Sequence, residues 1–166
     1  MENKKRKNQT SVIIALAVTV IFIAMLLRFF GAALVIGGTS MEPALHNGTI
    51  IISAKPGEED AITRGDIVIA NIEDQKTGKS VRVIKRAVGI PGDRIQIKDG
   101  GLYINGEWEK TFERIREPGK AREEISLGKD EYFLLGDNVN ASGDSRMFGP
   151  VKKSCIAGIY TGRLPW

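Results

Sequence analysis

Cysteine and histidine are almost absent from this sequence. Its 166 residues include one cysteine, Cys155, and one histidine, His46. A single cysteine excludes an intramolecular disulfide, and one Cys with one His leaves a structural zinc site almost without ligands. We therefore expect no metal site, and no pattern in the sequence calls for a cofactor.

Net positive charge is confined to one end of the chain. The formal net charge is +4, yet residues 1–10 carry four Lys or Arg residues against one Glu, and Arg28 adds one more positive charge. Residues 29–166 are therefore neutral overall. Because nucleic acid is bound by clustered basic surface, this balance argues against a nucleic-acid partner.

Only one long hydrophobic run is present. Val12–Leu27 contains no charge, and Thr19 is its one polar residue. As a helix the run spans about 24 Å, slightly less than a hydrocarbon core of about 30 Å. Arg28 can extend to the interface and two Phe residues follow it, which lengthens the usable segment. We predict a transmembrane helix over residues 11–30.

A cleaved secretory signal is the alternative for this N-terminus, since Gly31-Ala32-Ala33 resembles a cleavage site. The apolar run is longer than a usual signal core and Arg28 interrupts the approach to that site, so we favour a retained anchor. The basic start places residues 1–10 in the cytoplasm. The predicted organisation is a cytoplasmic tail at 1–10, a signal anchor at 11–30 and an extracytoplasmic domain at 31–166, held at the cell membrane.

After Gly37 the pattern changes to short runs rich in Val and Ile, separated by turn residues. Many short strands with this punctuation indicate a mainly β domain, built as an antiparallel sandwich or open barrel. Residues 110–124 are strongly charged and are expected to form a loop or a short helix. The predicted strands are Thr49–Ala54, Asp66–Asn71, Ser80–Val88, Arg94–Lys98, Leu102–Ile104 and Tyr132–Leu135.

Ser40 is the candidate nucleophile. It follows two glycines that permit close approach of a substrate, and Pro43 fixes the backbone just after it. This setting suits an exposed, rigidly held hydroxyl, although the local motif alone favours an ordinary serine in a glycine-rich turn.

His46 is the only histidine that could serve as its base. It lies six residues after Ser40, across Pro43, which makes direct pairing of the two side chains hard. We expect His46 to be a surface turn residue.

Lys85 is the other candidate base. By strand alternation it shares a face with Val81, Val83 and Ala87. Desolvation on an apolar face can lower the pKa of a lysine by several units from its ordinary value of about 10.4. The residues alone leave Lys85 balanced between a neutral base and a lysine at the sheet margin whose ammonium reaches solvent.

The segment Gly136–Arg146 is polar, rich in small residues and lacks periodicity, which indicates a loop. Such a loop can brace an active site, or it can be a solvated surface turn. Asp144 and Arg146 could form an ion pair that fixes it, and Ser142 could hydrogen-bond the lysine amine and orient it.

Together these segments resemble the bacterial type I signal peptidases, serine proteases with a Ser/Lys dyad. The resemblance covers nearly the whole chain, and one anchor with a small domain is similar to the Gram-positive subgroup. It is carried, in order behind the apolar run, by Ser40–Pro43, Arg64–Val68, Ile84–Asp93 and Gly136–Gly149.

The resemblance implies a role for each candidate residue. Ser40 would attack the scissile carbonyl, and neutral Lys85 would take its proton and later activate water. Ser142 would hold the lysine amine, while Asp144 and Arg146 would be structural supports.

The oxyanion site is only partly specified by the resemblance. The backbone N–H of Ser40 would be one donor. Gly38 stands where some members carry a hydroxyl that supplies the second donor, so that donor is absent or comes from elsewhere. Gly38 and Met41 are also expected to form walls of the substrate pockets.

The implied substrates are secretory preproteins with small residues, typically Ala, one and three positions before the cut. The lipid bilayer and the secretion translocon are implied partners. Two alternatives are a self-cleaving repressor-type peptidase, for which few residues precede Ser40, and a non-catalytic membrane-tethered relative acting as an assembly factor. The second would be expected to lack the serine or the lysine.

Overall fold

The structure is a computed structural model that describes residues 11–23, 25, 32–57, 60–74 and 77–163. Residues 11–23 form a helix, α1, with exposed apolar side chains. The predicted helix over residues 11–30 extends outside the described residues at position 24 and at 26–30. Within the part of the chain that is described, no helix combines the length and the apolar character needed to cross a membrane.

The remaining described residues form a mainly β domain with one short α-helix, α2, at Ser145–Phe148. Its strands are β1 Ala32–Val35, β2 Ile50–Ala54, β3 Ile67–Glu73, β4 Ser80–Gly89, β5 Arg94–Lys98, β6 Gly101–Ile104, β7 Glu107–Glu109, β8 Ile125–Ser126, β9 Glu131–Leu135, β10 Val151–Lys152 and β11 Ile156–Arg163.

Two antiparallel sheets are built from these described strands. The larger has the order β1-β2-β11-β3-β4-β9-β10, and the smaller has the order β7-β6-β5-β8. A buried cluster that includes Val88, Phe133 and Leu135 of the larger sheet and Ile95 and Leu102 of the smaller packs the two together. The mainly β antiparallel prediction is confirmed.

The alternating runs predicted β2, β3, β4, β5, β6 and β9 to within a few residues. The long strand β11 was missed because two glycines interrupt its pattern, and glycine has low β propensity. One of them, Gly158, packs closely against β2: a Cβ there would lie 3.1 Å from Ser53 Oγ. Within the charged stretch 110–124, Gly119–Arg122 forms a 3₁₀ helix.

Candidate active site

Ser40 lies in the connection between β1 and β2, in a turn stabilised by backbone hydrogen bonds. Glu42 N–H donates to the Thr39 carbonyl at 3.1 Å, and Leu45 N–H donates to the Met41 carbonyl at 2.9 Å. The side chains of Met41 and Leu45 are buried in an apolar cluster. The turn therefore presents Ser40 from a backbone that is anchored in the core.

The loop that follows β9 is hydrogen-bonded to this turn. Asn138 N–H donates to the Ser40 carbonyl at 3.0 Å, and its side-chain amide donates to the Thr39 carbonyl at 3.3 Å. These bonds join residues about a hundred positions apart in the chain, so the loop after β9 fixes where Ser40 sits.

Lys85 lies on β4, opposite Val68 of β3. It is 5% exposed, and its Nζ is 2.8 Å from Ser40 Oγ. The same nitrogen donates to the Ile84 carbonyl, also at 2.8 Å. The two residues that the sequence singled out are thus brought within hydrogen-bonding distance.

The surroundings of Lys85 favour its neutral form. Burial lowers the pKa of the Lys85 amine below its ordinary value, while the nearby charges of Asp144 and Asp137 oppose this and raise it. A neutral amine carries a lone pair that can accept a proton from an adjacent hydroxyl.

The polar loop after β9 is held by a buried ion pair. Asp144 is fully buried, and its Oδ1 accepts from Arg146 Nε at 2.7 Å, as predicted. Asp144 also accepts from Gly136 N–H at 3.2 Å, and Arg146 donates to the carbonyl oxygens of Val139 and Ser142. The pair thereby braces both ends of the loop.

Ser142 departs from the predicted geometry. Its hydroxyl oxygen is buried and has no hydrogen-bond partner among the described residues, so the expected bond to the Lys85 amine is not formed. Gly136 lies against both serines: a Cβ added there would contact Ser142 Oγ and come within 2.5 Å of the Ser40 carbonyl oxygen. The absence of a side chain at Gly136 therefore allows the backbone there to pack directly against Ser40 and Ser142.

Sequence reasoning missed a second ion pair beside the base. Arg86 Nε and Nη2 donate to the two carboxylate oxygens of Asp137 at 2.7 and 2.6 Å, and Arg86 Nη1 donates to the Gly65 carbonyl. This bidentate pair ties β4 to the loop after β9. The adjacency of Arg86 to Lys85 and of Asp137 to Gly136 was the available signal.

The remaining predicted residues take different positions. His46 is 65% exposed and lies 3.8 Å from Glu42, as expected for a surface turn residue. Gly38 has a positive φ of 91° and donates its N–H to Asn47 Oδ1 at 2.9 Å. Met41 is buried and lines a cavity that Ser40 also lines.

One cavity is lined by Ser40 and Lys85 themselves, and a second is lined by residues that follow each of them in the chain. The smaller, of about 290 Å³, is lined by Leu34–Gly37, Ser40, Met41 and Arg82–Lys85. The larger, of about 660 Å³, is lined by Pro43, Ala44, Arg64, Gly65, Arg86, Ala87, Val88, Ile104, Glu109, Thr111, Phe112 and Asp137. We call them the small cavity and the large cavity.

Comparison with known proteins gives a consistent family. A family model described as signal peptidase, peptidase S26, matches residues 9–165. Signal peptidase I P of Bacillus subtilis subsp. natto is 31% identical, covering 95% of this chain and 90% of that protein. Signal peptidase I of Bacillus licheniformis is 31% identical, covering 95% of this chain and 89% of that protein. A crystal structure of a signal peptidase I from Enterococcus faecalis is 30% identical with a TM-score of 0.48, covering 61% of this chain and 98% of that chain.

Proposed function

Since this chain belongs to the signal peptidase family, peptidase S26, we propose that Ser40 and Lys85 are the catalytic pair with which it removes signal peptides. As a signal peptidase I it is a hydrolase that acts as a serine protease on secretory preproteins. The observation that carries the proposal is the distance of 2.8 Å between Lys85 Nζ, on a buried side chain, and Ser40 Oγ.

The proposed reaction has two halves. Neutral Lys85 accepts the Ser40 hydroxyl proton while Oγ attacks the scissile carbonyl, and the protonated amine then gives that proton to the departing amino group. This leaves the signal peptide as an ester on Ser40. Lys85 next takes a proton from water, whose oxygen attacks the ester carbonyl. The bond between that carbon and Oγ breaks, Lys85 returns the proton to Oγ, and the signal peptide leaves with a new carboxyl group.

Negative charge that develops on the carbonyl oxygen needs donors. The Ser40 backbone N–H is the nearest available donor, because it is not hydrogen-bonded to any of the described residues. Gly38 supplies no side-chain hydroxyl, and its own N–H is already bonded to Asn47. In the proposal, Asp144 and Arg146 hold the loop that carries Ser142, and Ser142 orients the lysine amine when substrate is bound.

The strand edges beside the pair suit an extended peptide. On one side β9 pairs with Arg86, Ala87 and Gly89 of β4, so the edge of β4 before Arg86 has no partner strand among the described residues. The outer edge of β1, the terminal strand of the larger sheet, also has no partner strand among the described residues. A signal peptide would add as a strand between these edges and place small side chains, as in Ala-X-Ala, in the small cavity of about 290 Å³.

The apolar N-terminal segment is proposed as the membrane anchor. The side chains of Val12, Ile14, Val18 and Phe22 in α1 are more than half exposed, so nothing in the described fold covers them. A single-pass anchor with residues 1–10 in the cytoplasm would hold the catalytic domain on the extracytoplasmic face, against the bilayer and near the translocon.

The catalytic pair is tested with the full-length protein in detergent and a preprotein carrying an Ala-X-Ala site. Wild type cuts this preprotein, whereas Ser40→Ala and Lys85→Met do not. His46→Ala is the control and retains wild-type rate, since the His46 side chain is 65% exposed and lies beside Glu42. Full activity of Lys85→Met, or loss of activity in His46→Ala, would refute the assignment.

The anchor is tested by membrane fractionation of the full-length chain. A charged residue at the centre of a spanning helix costs about 2.5–3.5 kcal/mol, so Val18→Lys with Phe22→Lys should move the protein to the soluble fraction. Retention of this double variant in carbonate-washed membranes would contradict the anchor.

A further inference from the structure

The lining of the large cavity begins just after Ser40 and Lys85 in the two segments that carry them. In the first segment, Leu34–Gly37, Ser40 and Met41 line the small cavity, and Pro43 and Ala44 line the large one. The same change occurs along β4, where Arg82–Lys85 line the small cavity and Arg86–Val88 line the large one. Both segments therefore pass from one cavity to the other at the reacting pair.

A polypeptide cut at Ser40 must occupy both sides of the pair. If the residues before the scissile bond occupy the small cavity, as in the proposed function, the residues after it leave toward the large cavity. Resting on that proposed function, we propose that the large cavity binds the first residues of the mature protein and receives a large apolar side chain.

Part of the wall of the large cavity is formed by buried apolar side chains. Val88, Ile104 and Phe112 are all buried residues of the cluster between the two sheets. A volume of about 660 Å³ falls in the range of about 300–1,000 Å³ typical of binding pockets, so it has room for more than one side chain.

The cationic groups that line the cavity are already paired. Arg86 is bonded to both oxygens of Asp137, and Arg64 is bonded to Asp93 at 2.9 Å. The carboxylate of Glu109 accepts from the N–H and the hydroxyl of Thr111. An incoming Asp would therefore find no free cation among the lining residues, whereas an apolar side chain needs none.

The inference is tested first with matched substrates. Preprotein peptides share one sequence up to the cut and carry either Leu or Asp at each of the first three positions after it. A third substrate ends at the scissile carbonyl as a methyl ester, so it cannot enter the large cavity. We expect wild type to prefer the best-placed Leu over Asp by about 10-fold or more in kcat/KM, the scale of apolar side-chain selection.

Two exposed alanines give a matched pair of variants. Ala44 lines the large cavity and Ala61 does not. Ala44→Trp should lower kcat/KM for the Leu substrate about 10-fold and leave the ester unchanged, while Ala61→Trp should alter neither. Thr111→Trp, which fills the cavity from the end of β7, should act like Ala44→Trp and serves if that variant does not fold.

Each outcome separates the two proposals. Equal loss on the Leu substrate and the ester in both cavity variants, or equal wild-type rates with Leu and Asp, would overturn the role of the large cavity. Hydrolysis of the ester by Ser40→Ala at the wild-type rate would instead refute the proposed catalytic pair.

Discussion

Replacing Gly136 with alanine is expected to disable the catalytic site while leaving the protein folded. Gly136 is buried beside Ser40 and Ser142. An alanine Cβ would lie 2.5 Å from the Ser40 carbonyl oxygen and 2.6 Å from Ser142 Cβ, and it would also contact Ser142 Oγ. Ordinary contact begins at 3.4 Å, so the Ser40 carbonyl must move by about 0.9 Å.

That movement acts on the reacting group itself. The Ser40 carbonyl belongs to the same residue as the Oγ that lies 2.8 Å from Lys85 Nζ. A misplacement of about 1 Å costs about 100-fold in rate, equivalent to about 2.7 kcal/mol of transition-state stabilisation. Overpacking should lower the free energy of unfolding by about 1–3 kcal/mol.

The assay is kcat for preprotein cleavage by the full-length protein, together with its urea unfolding curve. Gly162→Ala is the matched control, because a Cβ at that glycine has no neighbour within 4 Å. We expect the control to keep wild-type kcat and Gly136→Ala to fall about 100-fold. A kcat for Gly136→Ala within twofold of wild type would refute the steric reasoning.

Four further predictions concern the charges around the site. Burial lowers the pKa of Lys85, so kcat should rise with pH through an inflection below its ordinary value of 10.5, and an inflection at or above it would contradict the neutral base. The lowered folded-state pKa also means that wild type loses unfolding free energy as pH falls through the window between the unfolded and folded pKa values, and Lys85→Met should lack this component in urea titrations. Asp137→Asn removes a charge that raises the pKa of Lys85, so it should move the kcat inflection to lower pH and, by weakening the pair with Arg86, lower stability by about 1–3 kcal/mol; an upward shift would contradict this. Arg146→Met leaves the fully buried Asp144 without its partner and should cost about 3–5 kcal/mol in thermal or urea unfolding, and a loss below 1 kcal/mol would contradict the bracing role.

Local sequence pattern predicted the strands that carry the site because those strands are half buried. Alternation over Ser80–Val88 predicted β4 but left Lys85 balanced between a buried and a solvent-reaching side chain, and the structure shows it buried. Strand alternation described the surroundings of Lys85 less well, since Val81 on the predicted apolar face is 44% exposed. Lys85 is in contact with the Ser40 turn, which lies 45 positions away in the sequence.

Long-range pairing explains what the pattern could not supply. Arg86 and Asp137 are 51 positions apart, and each reads locally as an ordinary surface charge. The steric need for Gly136 likewise depends on Ser40, which arrives from another part of the chain. Strand periodicity carries no information about such partners, because it depends only on burial of one face.

The partial pairing of β4 has a consequence for where a substrate would be cut. Pairing with β9 ends at Arg86, immediately beside Lys85. A preprotein strand that continues this edge would begin its hydrogen bonds at the residue that carries the base, in a register fixed by the enzyme's own ladder. The point at which β9 leaves β4 would then fix the position of the scissile bond through backbone hydrogen bonds. The cavities would select which side chains are accepted on either side of that bond.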